Sequence, residues 1–199
     1  MKDFQTLLDA AVAQHGHLCA GQILGVRLAM RGLAELDIDP ERDHKRVIVY
    51  VEIDRCAADA VAAVTGCSLG KRTLKYADYG KMAATFVDTK TGRAVRIVAL
   101  DSAREHAWKY APEGSPKNVA QMAAYRVMPD AELFNVQAVR VNIPEFDKPG
   151  HPISRVVCAE CGEGVNDGRE VVCNGKTMCR ACASNAYYVP VDQFAFAVV

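Results

Sequence analysis

Eight cysteines and five histidines are the residues through which this chain could do chemistry, and most of them fall into two groups. Toward the C-terminus, Cys158-Ala-Glu-Cys161 and Cys179-Arg-Ala-Cys182 are two Cys-x-x-Cys pairs separated by seventeen residues. That spacing is the pattern of a structural zinc site, and four thiolates close a tetrahedral shell with no position left for a substrate. Between the pairs, Arg169–Cys173 and Lys176–Cys179 are predicted to pair as strands about the turn Asn174-Gly175, and a helix is predicted to start at Cys179. A knuckle, a hairpin and a helix in that order describe a treble-clef finger. Cys173 is a spare thiol and Asp167 a reserve ligand, and a redox dithiol pair is the competing reading. Residues 154–186 carry four basic and four acidic side chains, so the finger lacks the positive footprint of a nucleic-acid module.

The second group lies near the start. His15-Gly16-His17-Leu18-Cys19 places two imidazoles and a thiol within five residues. In extended chain His17 and Cys19 project to one side. Cys56 falls in the first turn of a predicted helix. Helix N-termini favour anions, so the thiols of Cys19 and Cys56 are expected to have lowered pKa values. His17, Cys19 and Cys56 together would make a mixed nitrogen and sulfur site with one position open, the arrangement of a catalytic or substrate-binding metal. Cys67 is a possible fourth ligand or resolving thiol. Two alternatives stand beside this: the three cysteines are small core residues, or they serve a thiol redox protein, although this part of the chain has no Cys-x-x-Cys. After Cys67, Gly70-Lys71-Arg72 and Gly80-Lys81 bracket Lys75, Tyr76, Asp78 and Tyr79. Such a cationic loop could hold a carboxylate or phosphate, with Lys71 as a candidate active-site residue, or it is simply a solvated surface. His44 and His106 sit among charges and are read as exposed.

The elements that must position these groups follow from periodicity. Residues 3–14 and 22–36 read as helices, Val47–Ile53 as a buried strand, and RCAADAVAAVTG as a third helix capped by Asp54 and stopped at Gly66. CSLGKRTLKYADYGK reads as irregular, MAATFVD and RAVRIVAL as a hairpin, SAREHAWKYA and VAQMAAYRVM as helices, and ELFNVQAVRVNIP as a last strand. Helices and strands mix without strict alternation, which predicts an α+β domain over residues 1–143, a mixed β-sheet flanked by helices. The stretch 144–153 holds three prolines and reads as a linker, and residues 154–199 form the finger and an apolar tail expected to pack back. The finger is too small for a core of its own, so metal would supply its stability.

Bulk composition narrows the function classes. Half the residues are apolar, and 24 Lys and Arg balance 24 Asp and Glu, so no net charge draws the chain to nucleic acid or an anionic membrane. No apolar run reaches the ~18 residues of a membrane span. The first residues lack a secretory pattern, which predicts a cytoplasmic protein whose thiols stay reduced.

HGHLCAGQILGVRLAMRGL followed by DRCAADAVAAVTGCSLGKRTLKYADYGKMAATF resembles the FmdE family, which takes its name from formylmethanofuran dehydrogenase. Four motifs appear in order: H-G-H-x-C-x-G, C-x-x-D-A, T-G-C-S-x-G-K and a G-K before a strand. The resemblance implies a mixed α+β core, a homodimer, and a metal, often zinc, in the N-terminal site. His17 and Cys19 match its first motif, Cys56 the second and Cys67 the third. It implies association with molybdenum or tungsten dehydrogenase components, and the linker and finger resemble the treble clef that some members carry. Ala20 stands where many relatives have proline. The chain has no iron–sulfur spacing and no pterin site, so the expectation is a metal-binding accessory protein acting on a small anionic ligand. A zinc-finger regulator binding nucleic acid is the third reading.

Overall fold

A computed structural model describes residues 1–43, 45–184 and 186–189. His44 and the end of the apolar tail lie outside them. The chain divides into two units, Met1–Ile143 and Pro144–Val199.

In the first unit α1 spans Phe4–His15, with Asp3 accepting the Thr6 N–H at its start and Gly16 in the left-handed region (φ 96°) at its end. Helix α2, Ala20–Leu36, starts two residues earlier than its apolar periodicity suggests because Cys19 caps it. Strand β1 is Val47–Val51, and α3 is Cys56–Thr65. The cap of α3 is Arg55, with no side-chain hydrogen bond, rather than Asp54. The stop at Gly66 is as expected, in the left-handed region with φ 68°. Within the segment read as irregular, Leu74–Tyr76 forms β2, a strand too short to show a period. The hairpin forms as β3, Ala83–Asp88, and β4, Ala94–Ala99. Next come α4, Asp101–Glu105, a 3-10 turn at Ala107–Tyr110, and α5, Lys117–Val127. The last predicted strand is preceded by one helical turn, α6, Asp130–Leu133, and runs only over β5, Phe134–Val139.

The sheet has the order β2-β1-β3-β4-β5, with β1 and β2 parallel and the other pairs antiparallel. The fold is therefore α+β around a five-stranded mixed sheet, as the sequence predicts. Alternation along β1 sends Val47, Val49 and Val51 to the main core with the helices, and Ile48 and Tyr50 to a smaller apolar cluster with Val87, Val139 and Val141. Close helix packing depends on missing side chains. A Cβ on Gly25 would stand 2.7 Å from the Ala57 carbonyl oxygen, and one on Gly32 would stand 2.3 Å from the Phe86 ring. Helix α2 is thereby held against both α3 and the sheet.

In the second unit, β6 (Arg155–Val157) pairs with β7 (Gly164–Asn166), and β8 (Val171–Cys173) pairs with β9 (Lys176–Met178). Asn174 and Gly175, with φ 50° and 73°, make the predicted turn between β8 and β9. The short helix α7 is Arg180–Ala183. The proline-bearing stretch is tied into this unit. Its Phe146 lies beneath Gly168, and the Ile153 N–H donates to Asp167 Oδ1 at 2.8 Å. Asp167, 6% exposed, acts as a hook for that stretch and not as a ligand.

Candidate metal centres

Among the described residues, two sets of His, Cys, Asp and Glu side chains bring their donor atoms within 4.8 Å of one another: Cys158, Cys161, Cys179 and Cys182, and His15, His17 and Cys19.

The finger cluster is built by backbone turns. The Gly162 N–H donates to the Cys158 carbonyl (3.0 Å) and closes the knuckle, and the Ala159 N–H reaches the Thr177 carbonyl (2.9 Å) and ties the knuckle to β9. Cys179 caps α7, its Sγ accepting the Cys182 N–H at 3.4 Å. Sγ atoms of Cys161 and Cys179 are 4.0 Å apart. A zinc ion with Zn–S bonds of about 2.3 Å spaces its sulfurs by about 3.8 Å, so the set is the right size. Backbone N–H groups of Cys161, Cys179 and Glu160 aimed at Cys158 bring its thiol down to about 6, while the crowd of sulfurs from Cys179 and Cys161 pushes Cys182 up to about 12. Four thiolates in so small a space call for a cation. Cys173 stands outside the set.

The N-terminal cluster sits in the turn between two helices. His15 is the last residue of α1, Gly16 reverses the chain, and Cys19 is the cap of α2, with its Sγ accepting the Gln22 N–H at 3.4 Å. The rings of His15 and His17 have centroids 4.6 Å apart. His15 Nδ1 lies 2.8 Å from Asp59 Oδ2 in the first turn of α3. A proton on Nδ1 donated to that carboxylate leaves the Nε2 lone pair as the ligand atom, the usual support for a metal-bound imidazole. That Nε2 is buried and has no hydrogen-bond partner. Sequence reasoning favours His17 and leaves His15 out of the set. The available signal was its place as the final helical residue before a glycine, which turns the ring toward the following cap.

Cys56 opens α3 beside this cluster, its thiol within hydrogen-bonding reach of Cys19. Gln22, fully buried, donates from Nε2 to the Cys56 carbonyl at 2.6 Å and pins the two helix starts together. Gly21 leaves the room, since a Cβ there would stand 3.0 Å from Cys56 Cβ and 3.7 Å from Cys19 Sγ. Two of the predicted residues, His17 and Cys19, thus belong to the donor set, and Cys56 flanks it. The expected lowering of the Cys56 thiol does not occur: burial pushes it up, and the neighbouring Cys19 thiol adds to this.

Cys67 and Lys71 are elsewhere. Cys67 follows the far end of ten-residue α3, about 15 Å of helix from Cys56. It is buried, its Sγ donates to the Val47 carbonyl at 3.5 Å, and burial pushes its thiol up. Lys71 Nζ donates to the Gly66 carbonyl (3.3 Å) and so caps the C-terminus of α3. The two halves of the cationic loop diverge, because the Lys81 N–H bonds to the Glu52 carbonyl just past the end of β1. Between them, Tyr76 donates to Asp78, and its hydroxyl is pushed up to about 12.

Comparison with known proteins fits this geometry. The profile of the family described as "FmdE, Molybdenum formylmethanofuran dehydrogenase operon" matches residues 14–135, from the His15 turn through the start of β5. The chain belongs to the FmdE family. A second profile, "Prokaryotic dksA/traR C4-type zinc finger", matches residues 152–188, so this FmdE chain ends in a C4 zinc finger built on the four-cysteine cluster. An FmdE-like protein of tungsten formylmethanofuran dehydrogenase from Syntrophus aciditrophicus has a similar crystal structure, with TM-score 0.62 and 19% identity over 94% of this chain and 96% of that one. A probable S-adenosyl-L-methionine-binding protein of Archaeoglobus fulgidus is 29% identical over 210 residues, which cover 92% of this chain and 54% of that protein. The FmdE chain thus spans about half the length of that relative. No helix among the described residues is long and apolar enough to cross a membrane.

Proposed function

We propose that this FmdE-family chain is a metal-binding protein whose first unit presents an open centre of His15, His17 and Cys19, flanked by Cys56, to a small anionic ligand. The observation that carries the reading is the buried, unpartnered Nε2 of His15, oriented by Asp59 beside two further donors. Two nitrogens and a sulfur suit zinc and leave one coordination position free, where a bound ion supplies Lewis-acid polarisation of a ligand oxygen. Asp59 fixes the His15 ring, the Gln22 N–H holds Cys19 Sγ, and the second, structural zinc belongs to the finger. The description of the family supports a place beside molybdenum or tungsten enzymes of the formylmethanofuran dehydrogenase type. A homodimer and a cytoplasmic location complete this proposal, and the balanced charge of the finger supports a role apart from nucleic acid.

Metal analysis of anaerobically purified protein tests it. Two zinc ions or equivalents per chain are expected, with Cys19→Ser or His15→Ala losing one and Cys158→Ser losing the other. Retention of both metals in Cys19→Ser would defeat the assignment. Copurification with tungsten or molybdenum dehydrogenase components tests the partner. The contact of Cys19 with Cys56 supports a second reading, a redox thiol pair. Thiol trapping across a redox titration decides it: a reversible Cys19–Cys56 disulfide in metal-free protein would establish that reading.

A further inference from the structure

A cavity of about 180 Å³ opens against the first turn of α2, with Ala20 and Gly21 in its wall. It shares that turn with Cys19, so it adjoins the candidate metal centre. Its far side is made by α4 and α5, which contribute Arg104, Gln121 and Tyr125, and Leu24, Met82 and Leu100 line the rest.

The polar groups of this wall are donors in search of acceptors. Gln121 Nε2 is buried with no hydrogen-bond partner, a cost that folding alone does not explain. Arg104 makes no ion pair and no side-chain hydrogen bond among the described residues, and the same holds for the Tyr125 hydroxyl. Burial raises the pKa of that hydroxyl, so it stays protonated and able to donate. The adjacent helix α2 is seventeen residues long and adds its positive end to the same space. Asp101 stands at the exposed rim and limits the tolerated charge. Guanidinium, carboxamide and phenol donors at one end of a small, otherwise apolar chamber match a carboxylate with a short hydrocarbon body.

We infer that this cavity is a binding subsite for a small aliphatic monocarboxylate, held by Arg104, Gln121 and Tyr125 beside the Cys19 turn. The inference names the ligand class of the centre proposed above and rests on that reading only for what lies next to the ligand. Binding itself needs no metal in the N-terminal centre, which lets the two be tested apart.

The test follows the methyl resonance of Met82 in methionine-labelled full-length protein during titration with butyrate, with butylamine as the control. Butyrate is expected to give a saturable shift and butylamine none. Arg104→Ala and Gln121→Leu should each weaken binding by about tenfold or more, the effect of losing a hydrogen bond to a charged group. Arg104 is exposed, so its replacement leaves the core intact. Cys19→Ser protein, which keeps its finger, should still bind butyrate. Absence of a saturable Met82 shift, or equal affinity in wild type and both cavity variants, overturns the subsite. Butyrate binding that survives while Cys19→Ser retains all its metal overturns the metal centre instead.

Discussion

At the scale of single residues, the candidate centre depends on how one imidazole is held. Asp59 reaches His15 Nδ1 at 2.8 Å from the neighbouring helix, and this leaves Nε2 to serve an ion. Asp59→Asn keeps the shape but weakens the acceptor. It is expected to lower affinity for the N-terminal metal by about 10- to 100-fold, measured by competition with a chromogenic chelator, with finger occupancy unchanged. The sequence made His17, Cys19 and Cys56 legible because all three stand at predicted helix starts or in the short turn between helices. It hid the partnership of His15 with Asp59, because residues 44 positions apart share no local pattern. Cys67 misled for a related reason. A cysteine after a glycine stop looks like a ligand in one dimension, whereas in space it faces the Val47 carbonyl in the core.

At the scale of elements, the two helix starts meet because α2 offers glycine where α3 offers alanine. Gly21 and Gly25 are four apart and share one face of α2. A side chain at Gly25 would strike Ala57 and Ala60 of α3 within 2.8 Å. Gly25→Val is therefore expected to cost about 1–3 kcal/mol in denaturant unfolding, the usual effect of overpacking. It should also lower N-terminal metal content, because it drives the Cys19 and Cys56 ends apart. If metal content stays at the wild-type level while stability falls, the helix contact does not position the centre. Long elements such as α2 and β3 were readable from periodicity. The three-residue β2 and the four-residue α6 were not, since each is fixed by its neighbours and is too short for a repeat.

For the whole molecule, the first unit carries a pH-sensitive lock where the chain enters β1. Arg46 forks onto both oxygens of Asp88 at 3.0 and 2.9 Å, and Thr91 and the Lys90 N–H complete the shell. The guanidinium holds the Asp88 carboxyl well below the usual carboxylate range, and Asp88 is 1% exposed. A carboxyl depressed in the folded state contributes stability that is fully present above its unfolded value of about 3.9 and is lost as pH falls through its folded value. Thermal melts of Met1–Ile143 in the intact chain should hold their midpoint down to about pH 4 and then fall steeply. Asp88→Asn should lower the midpoint at neutral pH and flatten that acid limb. An unchanged acid limb would show that other carboxylates govern the transition.

The tight seat of α2 also dictates how an ion gets in and out. With Gly25 against Ala57 and Gly32 against the Phe86 ring, the helix can neither roll nor slide, so Cys19 is a fixed post. Gly16, at φ 96° with no atom near its missing side chain, is where the connecting turn can pivot, and the exposed His17 rides on that turn. Loading and release of metal would then be a matter of swinging one imidazole like a latch, at a rate set by the backbone freedom of a single glycine.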